Sequence, residues 1–202
     1  MRIDEIKNNF RKRNIEFEYY ESEEQLLFSL KEEIGKYDTI GIGNSQTLKH
    51  FRICELAQSM NKIVYDKTNG QNEVEKVDIK KKALLSECYI TSSNAITKDG
   101  KLINVDHSGN RVAAMTYGPD RVLVLVGINK LTENEQEGIS RALNIATPMN
   151  AKRARIESPC SLGRTCDQCS KDVRVCNYLS VIRGQHENHR MKVFLVNEEL
   201  GY

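Results

Sequence analysis

No stretch of this sequence approaches about 18 consecutive apolar residues, so it offers no candidate membrane-spanning helix. The opening Met1-Arg2-Ile3-Asp4-Glu5-Ile6-Lys7 is charged throughout and has none of the apolar core of a signal peptide. Lysine and arginine number 30 against 28 aspartate and glutamate, and the resulting net charge of +2 lacks the basic excess of a nucleic-acid binder. Internal repeats, low-complexity tracts and linker-like stretches are missing as well. These absences predict a soluble, cytoplasmic chain organised as one domain over residues 1–202. What is present agrees. A chain of 202 residues can bury about 70% of its unfolded surface without help from disulfides. Its 39% hydrophobic and 29% charged residues are too apolar for a disordered chain.

Hydrophobic periodicity alternates between helix and strand. Ile3, Ile6 and Phe10 form a short helical stripe. Ser22 with Gln25 is a capping box ahead of Leu26, Leu27, Leu30 and Ile34. Asp38–Gly43 reads as a buried strand, Leu48–Met60 as a helix and Lys62–Tyr65 as a second strand. Asn72 with Glu75 opens a further helix, and Glu87–Ser92 is a third strand. Ala95–Thr97 and Leu102–Val105 flank Asp99-Gly100, a strong hairpin signal. The unbroken apolar run Val122–Val126 is typical of a parallel-sheet strand covered on both faces. Thr132 with Glu135 caps a helix through Ile139, Ala142, Leu143 and Ala146 that Pro148 is expected to stop. Two more strands follow, Val175–Ile182 and Met191–Val196. This rhythm predicts an open, mostly parallel α/β sheet with helices on both faces and an inserted β-hairpin.

Two loops carry candidate chemistry. Gly41-Ile42-Gly43-Asn44-Ser45 lies where a strand hands over to a helix, the carboxyl edge at which open α/β sheets bind ligands. It is neither a G-x-G-x-x-G motif nor a P-loop, so a tight turn and a ligand loop both remain open. Asn104–Arg111 is the densest polar stretch. Asp106, His107 and Ser108 are adjacent and their side chains diverge, which excludes a catalytic triad. Asp106 and Ser108 suit acceptors, Asn110 and Arg111 donors to an anion, or the loop is held by its own hydrogen bonds. The basic runs Lys80–Lys82 and Lys152–Arg155 read as solvated faces, with docking of an anionic partner the alternative for the second, and His186 and His189 as surface residues.

Six cysteines divide unevenly. Cys54 and Cys88 fall in apolar patterns and read as core filler. Cys160, Cys166, Cys169 and Cys176 cluster in a segment, 160–176, that supplies four thiolates for a tetrahedral metal or a cubane cluster. The spacing gives only one of the two short knuckles zinc prefers, and not the run of bacterial ferredoxins. An iron–sulfur cluster, of the 4Fe-4S type, and zinc both stay open. Gly163, Arg164, Lys171 and Arg174 surround the thiols and would favour their anionic form.

Several blocks, Gly41–Leu48, Thr91–Leu102, Asn104–Met115, Pro148–Arg153 and Glu198–Tyr202, together resemble the LUD family, the lactate-utilisation domain, in order and over nearly the whole chain. The resemblance implies a three-layer α/β fold related to the phosphosugar-isomerase and CoA-transferase group. It also implies a link to oxidation of L-lactate to pyruvate beside iron–sulfur partner subunits. The chain resembles a short, cysteine-bearing branch in which Cys160, Cys166, Cys169 and Cys176 look like cluster ligands. The glutamate nucleophile of the related transferases does not carry over, because Ser86-Glu87 is followed by Cys88-Tyr89. The expected function is an iron–sulfur subunit or oxidoreductase for lactate or a related small organic acid. Its anionic or phosphate-bearing ligand would be held by Gly41, Gly43, Asn44, Ser45, Asn94, Asp106, Ser108, Asn110 and Arg111. The alternative is a metal-stabilised binding or regulatory module without catalysis of its own. No residue stands out as the catalytic base, and the oligomeric state is open, an oligomer included.

Overall fold

The computed structural model describes residues 2–169 and 172–202. In chain order its elements are α1 (Ile3–Arg11), β1 (Ile15–Tyr20), α2 (Glu23–Gly35), β2 (Thr39–Ile42), α3 (Gln46–His50), α4 (Ile53–Ser59), β3 (Ile63–Asp66), α5 (Glu73–Leu84) and β4 (Cys88–Thr91). There follow β5 (Ala95–Thr97), β6 (Leu102–Asp106), α6 (Asn110–Thr116), β7 (Arg121–Gly127), β8 (Leu131–Thr132), α7 (Glu135–Arg141), α8 (Thr147–Arg153), β9 (Tyr178–Ile182) and β10 (Met191–Val196). Six strands form one sheet in the order β1-β10-β7-β4-β2-β3, every pair parallel. A second, mixed sheet has the order β8-β5-β6-β9.

The central strands explain the layering. Along β7, Leu123 and Leu125 face one core, with α2, α3 and α4 over it, while Val122, Val124 and Val126 face the other. That second face is covered by α1, α6 and the mixed sheet through Phe10, Met115, Ile96 and Leu102. Each such side chain withdrawn from water contributes about 1.5–3 kcal/mol, so an all-apolar strand is stable only between two layers. The result is a three-layer α/β arrangement with a mostly parallel central sheet. No helix among the described residues is long and apolar enough to cross a membrane.

The hairpin forms as its sequence suggests, β5 antiparallel to β6, with Gly100 at φ +90° in the turn. Other expectations change. Residues 15–20 were assigned no element, yet they form edge strand β1. Ile15 and Phe17 enter the core, with Phe17 stacked 4.9 Å from Phe10, while Glu16 and Glu18 alternate outward to Arg121 and Lys192. The expected helix from Leu48 to Met60 is two helices, broken where Arg52 takes a left-handed φ of 51°. The cap of α7 is Asn134 accepting from the Glu137 amide, not Thr132 with Glu135. Pro148 does not end the helical run. Ala142–Ala146 widens into a π turn in which the Thr147 amide bonds five residues back to Ala142, and α8 restarts with proline in its donor-free first turn. The strand expected from Val175 begins only at Tyr178, and it joins the mixed sheet rather than lying beside β10.

Candidate functional site

Strand order reverses between β2 and β4: β3 lies on one side of β2, and the later strands β4, β7 and β10 extend on the other. Such a reversal opens a crevice at the carboxyl ends of the strands. A cavity of about 220 Å³ occupies it. Its walls come from the segments leaving β2 (Asn44, Ser45), β3 (Lys67), β4 (Ser92–Asn94) and β7 (Lys130), from the end of β6 and from the inner side of α8.

Arg111 organises one wall. It donates to the carbonyl of Ser92 (3.0 Å), to Asn94 Oδ1 (3.0 Å), to the Val105 carbonyl (2.8 Å) and to Asn104 Oδ1. Four of its five N–H groups are thereby committed to the frame. Asp106 is likewise engaged. Its carboxylate accepts from the backbone amides of His107, Arg111 and Val112, closing the start of α6. The one carboxylate among the described residues of the cavity wall therefore serves the loop, and the polar density of this stretch is in large part its own scaffold.

The remaining charges are cationic. Arg153 reaches Asn44 Oδ1 (3.1 Å) and Asn150 Oδ1 (2.7 Å), and its buried Nε has no partner among the described residues. Burial, then Lys80, lower the pKa of Lys67, with Asp106 acting against them. Lys130 is the least expected. Only 2% exposed, it donates to Thr47 Oγ1 (2.9 Å) and Ser92 Oγ (3.0 Å), and no carboxylate pairs with it among the described residues. Burial first, and then the guanidinium groups of Arg141 and Arg111, bring its pKa down to about 7. At the opposite, amino end of the sheet the buried cations are met by carboxylates or carbonyls: Arg121 meets Glu16 at 2.8 Å, Lys192 meets Glu33 at 3.3 Å, and Arg190 donates to the carbonyls of Ala114, Met115 and Pro119. Paired buried charge is structural, whereas an unpaired buried amine beside a cavity is the mark of a functional group.

A family model for the LUD domain matches residues 3–196. The chain belongs to the LUD domain family. A crystal structure of a DUF162 family protein from Deinococcus radiodurans shares the fold, with a TM-score of 0.51 and 14% identity over 96% of this chain and 95% of that one. Among curated proteins none matches the sequence.

Within this LUD domain, Asn44, Ser45, Asn94, Asp106, Ser108, Asn110 and Arg111 all lie on the cavity wall. Gly41 and Gly43 do not. A Cβ on Gly41 would lie 2.7 Å from the Tyr89 ring, and one on Gly43 2.6 Å from Thr91 Oγ1, so both glycines let β2 pack against β4. Sequence reasoning missed Lys67, Lys130 and Tyr202, and assigned Arg153 to a solvated face. For Lys130 the signal existed: a lysine in the short Ile128-Asn129-Lys130 segment that follows the apolar run of β7 sits at the carboxyl edge of a parallel sheet.

The cysteine segment borders the same cavity through the buried Val175, and Ile156 just ahead of it lines the wall as well. None of the six cysteines is in a disulfide, and Cys88 is buried in the sheet, while Cys54 is half-buried on α4. Burial raises the Cys176 thiol, Arg174 lowers it, and Cys169 and Cys166 raise it further. Arg174 donates to the carbonyl of Cys169 at 3.0 Å; Lys171 lies outside the described residues. Four soft sulfur donors on one loop fit a thiolate-bound metal in kind and number. Among the described residues no three potential ligands are gathered into a coordinating group, so binding requires the loop to draw its sulfurs together.

Proposed function

We propose that this LUD domain binds the anion of a small organic acid, lactate or a close relative, at the carboxyl edge of its sheet and serves as an iron–sulfur component of that acid's oxidation. The observation that carries the reading is Lys130, a buried amine whose partners among the described residues are neutral, set with Lys67 and Arg153 on a wall whose one described carboxylate is spent on backbone amides. A cavity of about 220 Å³ is smaller than the ~300–1,000 Å³ typical of drug-sized ligands, which favours an acid of a few carbons. The acid's carboxylate would meet the remaining N–H groups of the terminal nitrogens of Arg153, and Asn44 and Ser45 would orient its hydroxyl. Cys160, Cys166, Cys169 and Cys176 would hold the cluster, which supplies one-electron transfer when bound. Their loop reaches the cavity wall through Val175, which would couple metal binding to the shape of the acid site.

Titration calorimetry with L-lactate, pyruvate and inorganic phosphate tests the acid site, on protein purified without oxygen and assayed for iron, sulfide and zinc. Saturable binding of the organic acids that weakens at least tenfold in Arg153→Ala supports the reading. Preference for phosphate would assign the site to a phosphate-bearing ligand instead. Zinc without colour would favour the second reading, a metal-stabilised binding module, and neither metal would remove the cluster from the function.

A further inference from the structure

The arrangement of hydrogen bonds around Lys130 says more than that the site is cationic. A neutral amine has two N–H donors and one lone pair, whereas an ammonium has three donors. Lys130 has two acceptors among the described residues, Thr47 Oγ1 and Ser92 Oγ. Each hydroxyl directs its own proton to a backbone carbonyl, Thr47 to Leu200 and Ser92 to Ser93, both at 3.4 Å. Two N–H groups therefore have partners, and the described residues offer no acceptor to a third. A buried charge with an unmet donor is disfavoured. The protein groups around Nζ match the neutral amine, and none among the described residues donates to its lone pair.

We infer that Lys130 is a carbonyl-condensing lysine, whose free amine forms an imine with the keto group of a small 2-oxo acid bound in the cavity. The inference rests on the acid-binding reading above and names the reactive form of its ligand. Nζ adds to the keto carbon, forming a C–N bond. The C–O bond of the adduct then breaks, and the oxygen leaves as water with the two hydrogens of the amine. No oxidant or reductant is consumed. Nearby cations favour this chemistry in two ways: Arg141 and Arg111, after burial, help hold the lysine unprotonated, and Arg153 binds the acid's carboxylate. The pKa of about 7 that burial imposes on Lys130 agrees with the free amine. An imine withdraws electrons from the neighbouring carbon, so the bound acid should exchange its C3 hydrogens with solvent.

Pyruvate is the smallest 2-oxo acid that carries C3 hydrogens, and it is the probe of choice. The full chain is incubated with pyruvate and sodium cyanoborohydride, digested and mapped by mass spectrometry, while calorimetry on the same preparation measures pyruvate binding. The expected result is a reduced pyruvyl adduct on the peptide bearing Lys130, together with faster C3 deuterium exchange in the absence of reductant. Both should disappear in Lys130→Met and in Lys130→Arg, variants whose folding is checked by circular dichroism. Saturable binding with no adduct, or with adducts only on exposed lysines, overturns the inference and leaves the acid site standing. Absence of binding overturns both.

Discussion

Lys130 and Ser92 leave two adjacent strands of the parallel sheet, β7 and β4, and meet at their carboxyl edge with Nζ 3.0 Å from Oγ. The contact brings a lysine into the interior without a counter-ion among the described residues, which makes it a titrating group of the fold as well as of the site. An unfolded lysine keeps its proton to about pH 10.5, whereas Lys130 gives it up near 7. Between those values the unfolded chain binds one more proton than the folded one, so stability should rise with pH across that window. Urea unfolding at about pH 6, 8 and 10 should show a rise of the order of 4 kcal/mol that Lys130→Met lacks. Parallel curves for the two proteins would mean that Lys130 stays charged in the fold.

Arg111 is the complementary case, a cation whose work is positional. Replacing it with alanine removes one donor from Asn94 Oδ1, Asn104 Oδ1 and two backbone carbonyls, while Asn94 Oδ1 keeps the Val105 amide and Asn104 Oδ1 keeps Ser93 Oγ. The expected loss is about 1–3 kcal/mol, that of weakening a buried charged network rather than orphaning each acceptor. Arg111→Lys should recover little, because an ammonium cannot reproduce the planar fork that spans four acceptors. Chemical denaturation of the three proteins, with pyruvate binding measured alongside, decides the matter. A lysine variant as stable as the parent would reduce Arg111 to a simple charge.

How far the sequence discloses this site depends on how local each cause is. The Asp99-Gly100 turn, the caps at Ser22 and Asn72 and the apolar run of β7 act within a few residues, and they are legible in advance. Edge strand β1 was overlooked because Ile15–Tyr20 is short and mixes glutamates with aromatics, and only pairing with β10 across the length of the chain explains it. The same holds for the cations. Arg153 turns inward because Asn44, over a hundred residues earlier, receives it, and the basic run around it gives no hint of that partner. Conversely, Asp106 looked like a ligand residue, and its carboxylate caps a helix that begins only four residues later.

The glycines in and just after β2 give a test that separates packing from binding. Gly43→Ala places a methyl 2.6 Å from Thr91 Oγ1, and its expected cost is about 1–3 kcal/mol through overpacking of β2 against β4. In the double variant Gly43→Ala with Thr91→Ala the clashing hydroxyl is gone, and most of that loss should return. Recovery of stability with unchanged pyruvate affinity would establish a packing role. If affinity falls in both variants while stability recovers, Gly43 contributes to the ligand itself.

Cys169 tests the tail. If the four thiolates hold one metal, removing a ligand from the only two-residue knuckle should cut iron or zinc per chain to near zero. Metal binding to such sites contributes about 10 kcal/mol or more of apparent free energy, so the loaded wild type should melt well above Cys169→Ala. The effect should reach the site, because the same loop carries Val175 onto the cavity wall. After stripping with a chelator, the two proteins should melt alike and bind pyruvate alike, since the Cys169 side chain is otherwise only half-buried on an irregular loop. Unchanged metal content in the variant would take Cys169 out of the ligand set. Equal metal loss with no change in melting would show a metal that the loop holds without drawing the cavity wall closed.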